Sequence, residues 1–342
     1  MVNYVISLKD SAKNVAGPKA NNDNIKFLKE LGFKNYWLKF DTNTGFKSRL
    51  QKLWLAHYTI PTFFKQHSNI NNIILQYPLY STYLMEQVVN SIRKYTDAKI
   101  YFIIHDVESI RLFINQPQYY KAELSFLNKA DGIVGHNQKM NTWLKEHGVM
   151  TKLISLDIFD YDNPAKLIET REYKGTICYA GNLKKAEFLQ KVNLQHKLRI
   201  FGPNPTDHYP SSVEYMGQYT PEELPEHLDA DFGLVWDGTS SQGCNGVFGE
   251  YMKYNNPHKT SLYLSSGIPV IIWKKAALAE FVEKNQLGLT IDSLDELDSL
   301  LDDLTNDQYQ KIHQNVRNVA EKMRNGFYVK KAVKQLIPVE EQ

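Results

Sequence analysis

One segment decides the fold, and it reads Glu250-Tyr-Met-Lys-Tyr-Asn-Asn-Pro-His-Lys-Thr-Ser-Leu-Tyr-Leu-Ser-Ser-Gly-Ile-Pro-Val-Ile-Ile-Trp273. Its second half predicts a short helix from Pro257 to Gly267, because proline is tolerated in a first turn and glycine favours the position just past a helix. The six residues from Ile268 on are apolar and β-branched, which predicts a buried strand. A helix followed directly by a fully apolar strand is half of a parallel α/β unit.

The start of that helix carries groups that suit an anion. A helix N-terminus offers unpaired N–H groups and about half a positive charge, and here an imidazole, an ammonium and a hydroxyl join them. In the alternative interpretation Asn256 is an ordinary N-cap and Lys259 a solvated surface residue. The candidate binding residues are Asn256, Pro257, His258, Lys259, Thr260, Ser261 and Leu262.

Size and composition exclude several classes of protein. A chain of 342 residues suits two domains, and 40 Lys and Arg against 38 Asp and Glu is too balanced for a nucleic-acid binder. Cys178 and Cys244 make neither a disulfide framework nor a metal cluster. The N-terminus lacks a signal-peptide pattern, and no apolar run approaches the roughly 20 residues that span a bilayer. We therefore expect a cytoplasmic protein without a membrane span.

Alternating strands and helices predict two doubly wound parallel sheets, each a Rossmann-like domain. The expected domains are residues 1–160 and 170–325, followed by a C-terminal helix, 326–342, that packs back on the first domain. No Gly-x-Gly-x-x-Gly follows the first strand, which argues against a nicotinamide or flavin dehydrogenase. Strands are expected at residues 3–8, 36–40, 73–76, 99–104, 132–134, 152–156, 176–180, 197–201, 213–216, 231–236 and 268–273.

Ligands in open α/β sheets bind beyond the carboxyl ends of the strands, so the loops at those ends hold the candidate residues. Two of these loops in the second domain place a lysine, Lys184 or Lys259, at the start of a helix. A nucleotide diphosphate needs two or more positive groups where no metal neutralises it, and two lysines with two helix ends would meet that need. Tyr219 could lie on the base, or it could serve ordinary packing.

The first domain offers weaker candidates. His105 and Asp106 close a buried strand, and either act near the reacting group or form a structural contact with each other. The polar loop around Gly17 would let backbone approach a ligand closely. Tyrosines 77, 80 and 83 could stack on a sugar, with core packing expected for at least one. Of two Asp-x-Asp patterns, 160–162 lies in the expected linker between the domains, residues 157–174, and 229–231 precedes a strand, so we predict no metal site.

Two quoted segments resemble the GT-B glycosyltransferases, in which two Rossmann-like domains face each other across a cleft. Ser261-Leu-Tyr-Leu-Ser-Ser-Gly-Ile-Pro-Val-Ile is similar to their nucleotide-contacting helix and following strand, and Cys178-Tyr-Ala-Gly-Asn-Leu-Lys184 to their phosphate-facing turn. Nearly the whole chain resembles the glucosyltransferases that add the second sugar to serine-rich-repeat adhesins of Gram-positive bacteria. The shared features are Gly17-Pro-Lys-Ala-Asn-Asn, Tyr254-Asn-Asn-Pro-His-Lys259 and the C-terminal helix.

The resemblance implies a hexosyltransferase with a UDP-sugar donor, usually UDP-glucose, and N-acetylglucosamine on Ser or Thr as acceptor. It also implies tetramers and retention of configuration. The chain departs from the family pattern at one point. Many retaining GT-B enzymes carry two glutamates, eight positions apart, before the strand that corresponds to residues 268–273. Tyr254 and Leu262 stand there, and Glu250 is the possible substitute. With no placed nucleophile, the expected mechanism is stabilisation of the leaving diphosphate, without metal or cofactor.

Two alternatives remain open at this point. A catalytically silent GT-B protein that serves as partner or chaperone of another transferase would share the fold, although it would not need both lysines. An NAD-dependent oxidoreductase is the other alternative, already weakened by the missing glycine fingerprint.

Overall fold

A computed structural model of the chain describes residues 1–9, 16–41, 45–169 and 172–337. The chain divides into two compact units. The N-terminal unit contains the first strand, Gly17–Leu156 and the chain from Val329 on, and the C-terminal unit contains Asp157–Tyr328.

The N-terminal unit is built on a six-stranded parallel sheet with the order β2-β1-β3-β4-β5-β6. Its central strands are mostly apolar and, apart from Lys99, buried, as expected where helices cover both faces of a sheet. The strands are β1 (Asn3–Leu8), β2 (Phe33–Leu38), β3 (Asn72–Tyr77), β4 (Lys99–Ile104), β5 (Gly132–Gly135) and β6 (Leu153–Ser155). The helices are α1 (Ala16–Lys29), α2 (Phe46–Trp54), α3 (Ile60–Gln66), α4 (Thr82–Tyr95), α5 (Pro117–Leu127) and α6 (Gln138–Glu146), and a π-helical turn at Leu55–Thr59 joins α2 to α3.

The C-terminal unit is built on a second six-stranded parallel sheet, with the order β12-β11-β10-β7-β8-β9. Its strands are β7 (Ile177–Ala180), β8 (Leu198–Phe201), β9 (Val213–Tyr215), β10 (Phe232–Val235), β11 (Val270–Trp273) and β12 (Gly288–Ile291). Its helices are α7 (Leu224–His227), α8 (Gly246–Tyr251), α9 (His258–Ser265), α10 (Ala279–Asn285), α11 (Leu297–Asp303) and α12 (Asn306–Arg324). A last helix, α13 (Phe327–Leu336), passes from this unit into the N-terminal one.

The prediction of an α/β protein with two parallel sheets is confirmed, with differences in detail. The edge strand β12 was missed because it has only four residues and opens with a glycine at φ +158°. Helix α8 was missed because it starts at Gly246, inside a Gly- and Ser-rich segment that predicted a loop. The helix expected to start at Lys184 is instead two 3₁₀ turns, Leu183–Lys185 and Glu187–Gln190. A spacing of three buries Leu183, Ala186 and Leu189 on one side, which suits 3₁₀ geometry.

Helix α9 lies close against the sheet because Gly233 in β10 has no side chain. A Cβ atom at Gly233 would lie 2.2 Å from the ring of Tyr263, which is fully buried. The hydroxyl of Tyr263 accepts a hydrogen bond of 2.6 Å from the backbone N–H of Ala180 in β7. One tyrosine therefore ties α9 to two neighbouring strands and fixes where the helix begins.

Helix α13 is anchored within the N-terminal unit. The ammonium of Lys152 donates 2.7 Å to the carbonyl of Gln335, and Lys330 forms an ion pair of 2.5 Å with Glu30. Leu336 packs so close to Gly132 that a Cβ there would lie 2.7 Å from its methyl carbon. Of the helices in the described ranges, not one is long and apolar enough to cross a bilayer.

Candidate active site

Lys259 lies at the carboxyl edge of the C-terminal sheet, where the paired strands β7 and β10 end. Its ammonium donates to the carbonyl of Trp236 at 3.0 Å, to Oδ1 of Asp237 at 3.0 Å and to the hydroxyl of Tyr179 at 3.1 Å. The side chain is only 13% exposed, and its nitrogen lies 4.4 Å from the centroid of the Tyr179 ring. The alternative in which Lys259 is a solvated surface residue is therefore wrong.

The ammonium of Lys259, the hydroxyl of Tyr179 and the carboxylate of Asp237 all contact one another. Burial, reinforced by the nearby Asp237 carboxylate, raises the pKa of Tyr179 well above its ordinary value, so the hydroxyl stays protonated. The hydroxyl accepts from Lys259 and lies 3.5 Å from Oδ1 of Asp237, to which it can donate. Burial also raises the pKa of the Cys244 thiol to about 12, which excludes a thiolate nucleophile here.

Helix α9 begins without a side-chain cap from the described residues, since Pro257 occupies the N-cap position. Asn256 is not the N-cap. It lies buried one residue earlier and donates from Nδ2 to the carbonyl of Asp157 at 3.2 Å. The N–H of Thr260 donates to the carbonyl of Pro257 at 2.9 Å, and no side chain of the described residues caps the rest of the first turn, so the helix start still suits an anion.

The other α9 candidates are buried or half-buried, and contacts of several side chains hold the segment 157–163 along the helix. The ring of His258 lies 5.5 Å from that of Phe159, and Thr260 and Leu262 are buried. The hydroxyl of Ser261 donates to the carbonyl of Phe159 at 2.8 Å. Further along, Asn163 donates to the hydroxyls of Ser265 and Ser266 at 3.1 and 3.0 Å. These contacts assign Asn256 and Ser261 a positioning part beside any ligand contact made by their backbone.

The second lysine, Lys184, follows β7 in a 3₁₀ turn and its side chain is exposed. Its backbone N–H donates to Oδ1 of Asn182 at 3.2 Å, which sets the turn. The ammonium of the adjacent Lys185 lies 3.9 Å from the centroid of the Phe248 ring. Lys184 can therefore move toward a ligand at the end of β7 without breaking a buried contact.

Tyr219 is stacked rather than open on both faces. Its ring lies 3.7 Å from the imidazole of His227 at an angle of 17°, and 6.3 Å from Phe201. The packing alternative thus describes one face of the ring. Contact with a base stays a prediction.

In the N-terminal unit, Gln76 at the end of β3 organises the candidate residue His105. The Gln76 amide nitrogen donates to the hydroxyl of Ser7 at 2.5 Å and to the carbonyl of Asn21 at 3.0 Å. Its carbonyl oxygen therefore faces Asn24 and Nε2 of His105, which lies 2.8 Å away. An amide oxygen can only accept, so Nε2 of His105 carries a hydrogen. The sequence analysis missed Gln76, whose one signal is a polar residue closing an apolar strand.

His105 and Asp106 have different partners. Burial lowers the pKa of His105 to about 4, so its imidazole is neutral at pH 7. The carboxylate of Asp106 forms an ion pair of 2.8 Å with Arg111, which also contacts Glu108. These contacts make Asp106 a fixed anion close to a neutral imidazole.

Three further predictions concern the N-terminal unit. Gly17 lies in the first turn of α1 and not in a loop, because Pro18 suits a first turn and Lys19 pairs with Asp23 one turn on. Loop residues 10–15 lie outside the described residues. Tyr77 belongs to the core and donates to Glu123 at 2.7 Å, whereas Tyr80 and Tyr83 are exposed.

The Asp-x-Asp patterns serve the backbone. Asp231 is fully buried, and one of its oxygens accepts from the N–H groups of Lys174 and Thr176 and from the Thr176 hydroxyl, each at 2.9 Å. Asp160 accepts from the N–H of Tyr328 at 3.2 Å. Across the described ranges, no cluster of three or more His, Cys, Asp or Glu could hold a metal ion.

The neutral state of His105 predicts a pH dependence of stability. Its folded pKa of about 4 lies below the ordinary value of 6.5, so the unfolded chain binds more protons between those values. The contribution is full above pH 6.5 and is lost as the pH falls toward 4, on the order of 3 kcal/mol. Urea unfolding across this range should show that slope in the parent and lose most of it in His105→Gln. The same slope in both proteins would assign the titration to another group.

Two Rossmann-like units, each built on a parallel sheet, are the architecture of the GT-B fold. Solved structures share the fold. Sucrose-phosphate synthase from Thermosynechococcus elongatus matches with a TM-score of 0.64 at 14% identity over 98% of both chains. A glycosyltransferase from Rickettsia africae matches with a TM-score of 0.62 at 15% identity, again over 98% of both.

The chain belongs to the glucosyltransferase 3-like family. The model of that family's N-terminal domain matches residues 2–158, and the model of its C-terminal domain matches residues 177–336. Beta-1,6-galactofuranosyltransferase WbbI of Escherichia coli K12 is 30% identical over 290 residues, 83% of this chain and 84% of that protein. Glucosyltransferase 3 of Streptococcus gordonii is 26% identical over 324 residues, 92% of each chain. The resemblance read from the sequence is confirmed, and the protein is a glycosyltransferase.

Proposed function

We propose that the protein transfers a hexosyl group, glucose before others, from a UDP-sugar to N-acetylglucosamine already attached to Ser or Thr of a protein. The single observation that carries the donor side is the Lys259 ammonium at the ends of β7 and β10, beside the uncapped start of α9. The name glucosyltransferase 3, borne by relatives across about nine-tenths of the chain, supports glucose.

The ammonium of Lys259 has three hydrogens, and the structure gives all three an acceptor. A diphosphate oxygen must therefore replace one of them. The bond to Tyr179 costs least to exchange, because that hydroxyl can still donate to Asp237. In the free protein Asp237 thus holds the ammonium at the strand end, and on binding the phosphate takes the place of the Tyr179 hydroxyl.

The proposed reaction needs no protein nucleophile. The bond between the sugar's anomeric carbon and the diphosphate breaks, and the acceptor oxygen forms a new bond to the same carbon. The proton of the acceptor hydroxyl passes to an oxygen of the departing phosphate. The ammonium of Lys259, the start of α9 and the exposed Lys184 stabilise the negative charge that develops on UDP.

A second candidate donor is a galactofuranosyl nucleotide, because the relative at 30% identity is named a beta-1,6-galactofuranosyltransferase. Both candidates place the same diphosphate on Lys259 and differ only in the hexose. Assembly into a tetramer and a protein acceptor stay predictions.

A donor screen tests the proposal. Release of UDP is measured with UDP-glucose, UDP-galactose, UDP-galactofuranose and UDP-N-acetylglucosamine, each with and without an N-acetylglucosaminyl peptide. We expect acceptor-dependent release from UDP-glucose, and the same from UDP-galactofuranose alone would transfer the assignment to the second candidate. No release from any donor, with UDP still bound in calorimetry, would favour the catalytically silent partner.

The same assay run in EDTA tests the role of the cations. We expect unchanged rates, because lysines and helix ends offset the diphosphate charge. Activity lost in EDTA and restored by Mg²⁺ or Mn²⁺ would contradict this assignment.

A further inference from the structure

The outward side of α2 and of the turn that follows it is apolar. We call this surface the aromatic face and define it by Phe46, Leu50, Leu53, Trp54 and Tyr58. Each of these side chains is about half exposed or more, and Phe46 reaches 76%. The rings of Trp54 and Tyr58 contact each other at 4.7 Å. Contiguous exposed apolar side chains of this size mark an interaction surface rather than scattered surface residues.

The polarity of α2 is the reverse of an ordinary surface helix. At about 100° per residue, the face from Phe46 to Trp54 falls within one arc of roughly 100°. The buried side carries Ser48, whose hydroxyl donates to the carbonyl of Asp41 at 2.7 Å, and, in the following turn, Ala56. The large apolar groups therefore face away from the core, so packing within the N-terminal unit does not account for them.

The charge of the same segment has one sign. No Asp or Glu occurs between Asp41 and Glu86, whereas Lys47, Arg49, Lys52 and Lys65 lie along α2 and α3. Lys47 and Arg49 are exposed and flank the apolar arc on its two sides. The aromatic face thus has a cationic border.

We propose that the aromatic face binds the surface of an anionic lipid bilayer. A helix with Trp, Tyr, Phe and Leu on one side and cations beside them lies in the headgroup region, its apolar side chains in the acyl boundary and its cations on lipid phosphates. The charge argues against a second copy of the chain as the occupant. A two-fold contact would bring the cations of both copies together with no carboxylate from this segment to offset them.

Binding to a bilayer would determine where the protein works and not which sugar it transfers. A bilayer-bound face would hold the N-terminal unit at a membrane surface and raise the local concentration of acceptors that are themselves membrane-attached. Vesicle binding is measured without donor or acceptor, so its outcome is independent of the donor screen.

Flotation with lipid vesicles tests the proposal. The purified full chain is mixed with vesicles of phosphatidylglycerol and phosphatidylcholine, or of phosphatidylcholine alone. We expect binding to the anionic vesicles only, weakened by salt. Two test variants, Leu50→Ser with Trp54→Ser and Lys47→Glu with Arg49→Glu, should each lower the partition coefficient at least about tenfold.

Matched controls distinguish binding through the aromatic face from nonspecific binding to vesicles. Ile114→Ser with Met150→Ser removes exposed apolar groups elsewhere in the same unit, and Lys121→Glu with Lys145→Glu reverses exposed charges there. Both controls should bind the anionic vesicles within about twofold of the parent. Circular dichroism should show all variants folded, since every substituted side chain is exposed.

The fluorescence of Trp54 adds a direct readout. On anionic vesicles the emission should shift to the blue, and Trp54→Phe should lose most of that shift while still binding. The proposal is overturned if the parent does not bind anionic vesicles, or if the test variants bind as well as the controls. It is also overturned if the parent ignores vesicles and Leu50→Ser with Trp54→Ser converts an oligomer to a smaller species in size exclusion, which would assign the face to a second copy.

Discussion

Changing Lys259 to Ala is expected to weaken UDP binding by about 1.5–3 kcal/mol, the usual worth of a charge-assisted hydrogen bond. Because the side chain is largely buried, the same change should also destabilise the C-terminal unit. Asp237 is only 18% exposed and would lose its cation, at a cost of about 1–3 kcal/mol. Calorimetry with UDP and urea unfolding measure the two effects separately.

A double variant separates binding from stability. Lys259→Ala with Asp237→Asn removes both charges, so it should recover most of the lost stability without recovering UDP affinity. Lys184→Ala is the matched control, because its exposed side chain should affect UDP binding and leave unfolding unchanged. Parental UDP affinity in Lys259→Ala would remove the residue from the site. Full affinity in the double variant would mean that Asp237, and not the lost ammonium, had weakened the single one.

Gly233→Ala is expected to destabilise the C-terminal unit by about 3 kcal/mol. The added carbon would lie 2.2 Å from the buried Tyr263 ring, which cannot move without giving up its bond to Ala180. Helix α9 would have to shift, and Lys259 with it, so UDP affinity should fall together with stability. Thermal unfolding and calorimetry on the same preparation measure both.

Two further variants show whether the Tyr263 ring is the cause. Gly45→Ala adds a methyl group that meets nothing within 4 Å, so it should be close to neutral. Gly233→Ala with Tyr263→Leu exchanges the ring for a smaller side chain and should recover part of the stability. If Gly233→Ala unfolds like Gly45→Ala, the contact between α9 and β10 is looser than the structure shows.

The fold was readable because its signals are local. Runs such as Ile73 to Leu75 and Val270 to Ile272 are apolar and β-branched, and each is followed or preceded by a helical pattern within a few residues. Short strands at the sheet edges were missed for the same reason, because the four residues of β12 are too few to show a hydrophobic pattern. The first turn of α1 was read as a loop because the polar run through Asn24 outweighed the proline signal.

Site residues could be predicted from the sequence only where a reactive or charged side chain stands beside a local pattern that indicates the end of a helix or strand. Lys259 follows Asn-Pro at a helix start, and that local pattern made it a candidate. Tyr179, 80 residues away, was not among the candidate residues, because its contact with Lys259 depends on how β7, β10 and α9 pack together. Gln76 was missed for the same reason, because it meets the candidate residue His105 only through the pairing of β3 with β4.

The side chains along α9 that hold residues 157–163 bear on any attempt to express half of this protein alone. A fragment cut at residue 170, where a reading of the sequence starts the second domain, would remove the acceptors of Asn256 and Ser261 and the amide of Asn163 that reaches Ser265. It would expose one whole flank of the helix that begins at the proposed donor site. A fragment that starts at Asp157 keeps that flank covered. The predicted linker therefore has to be retained in any fragment of the C-terminal half.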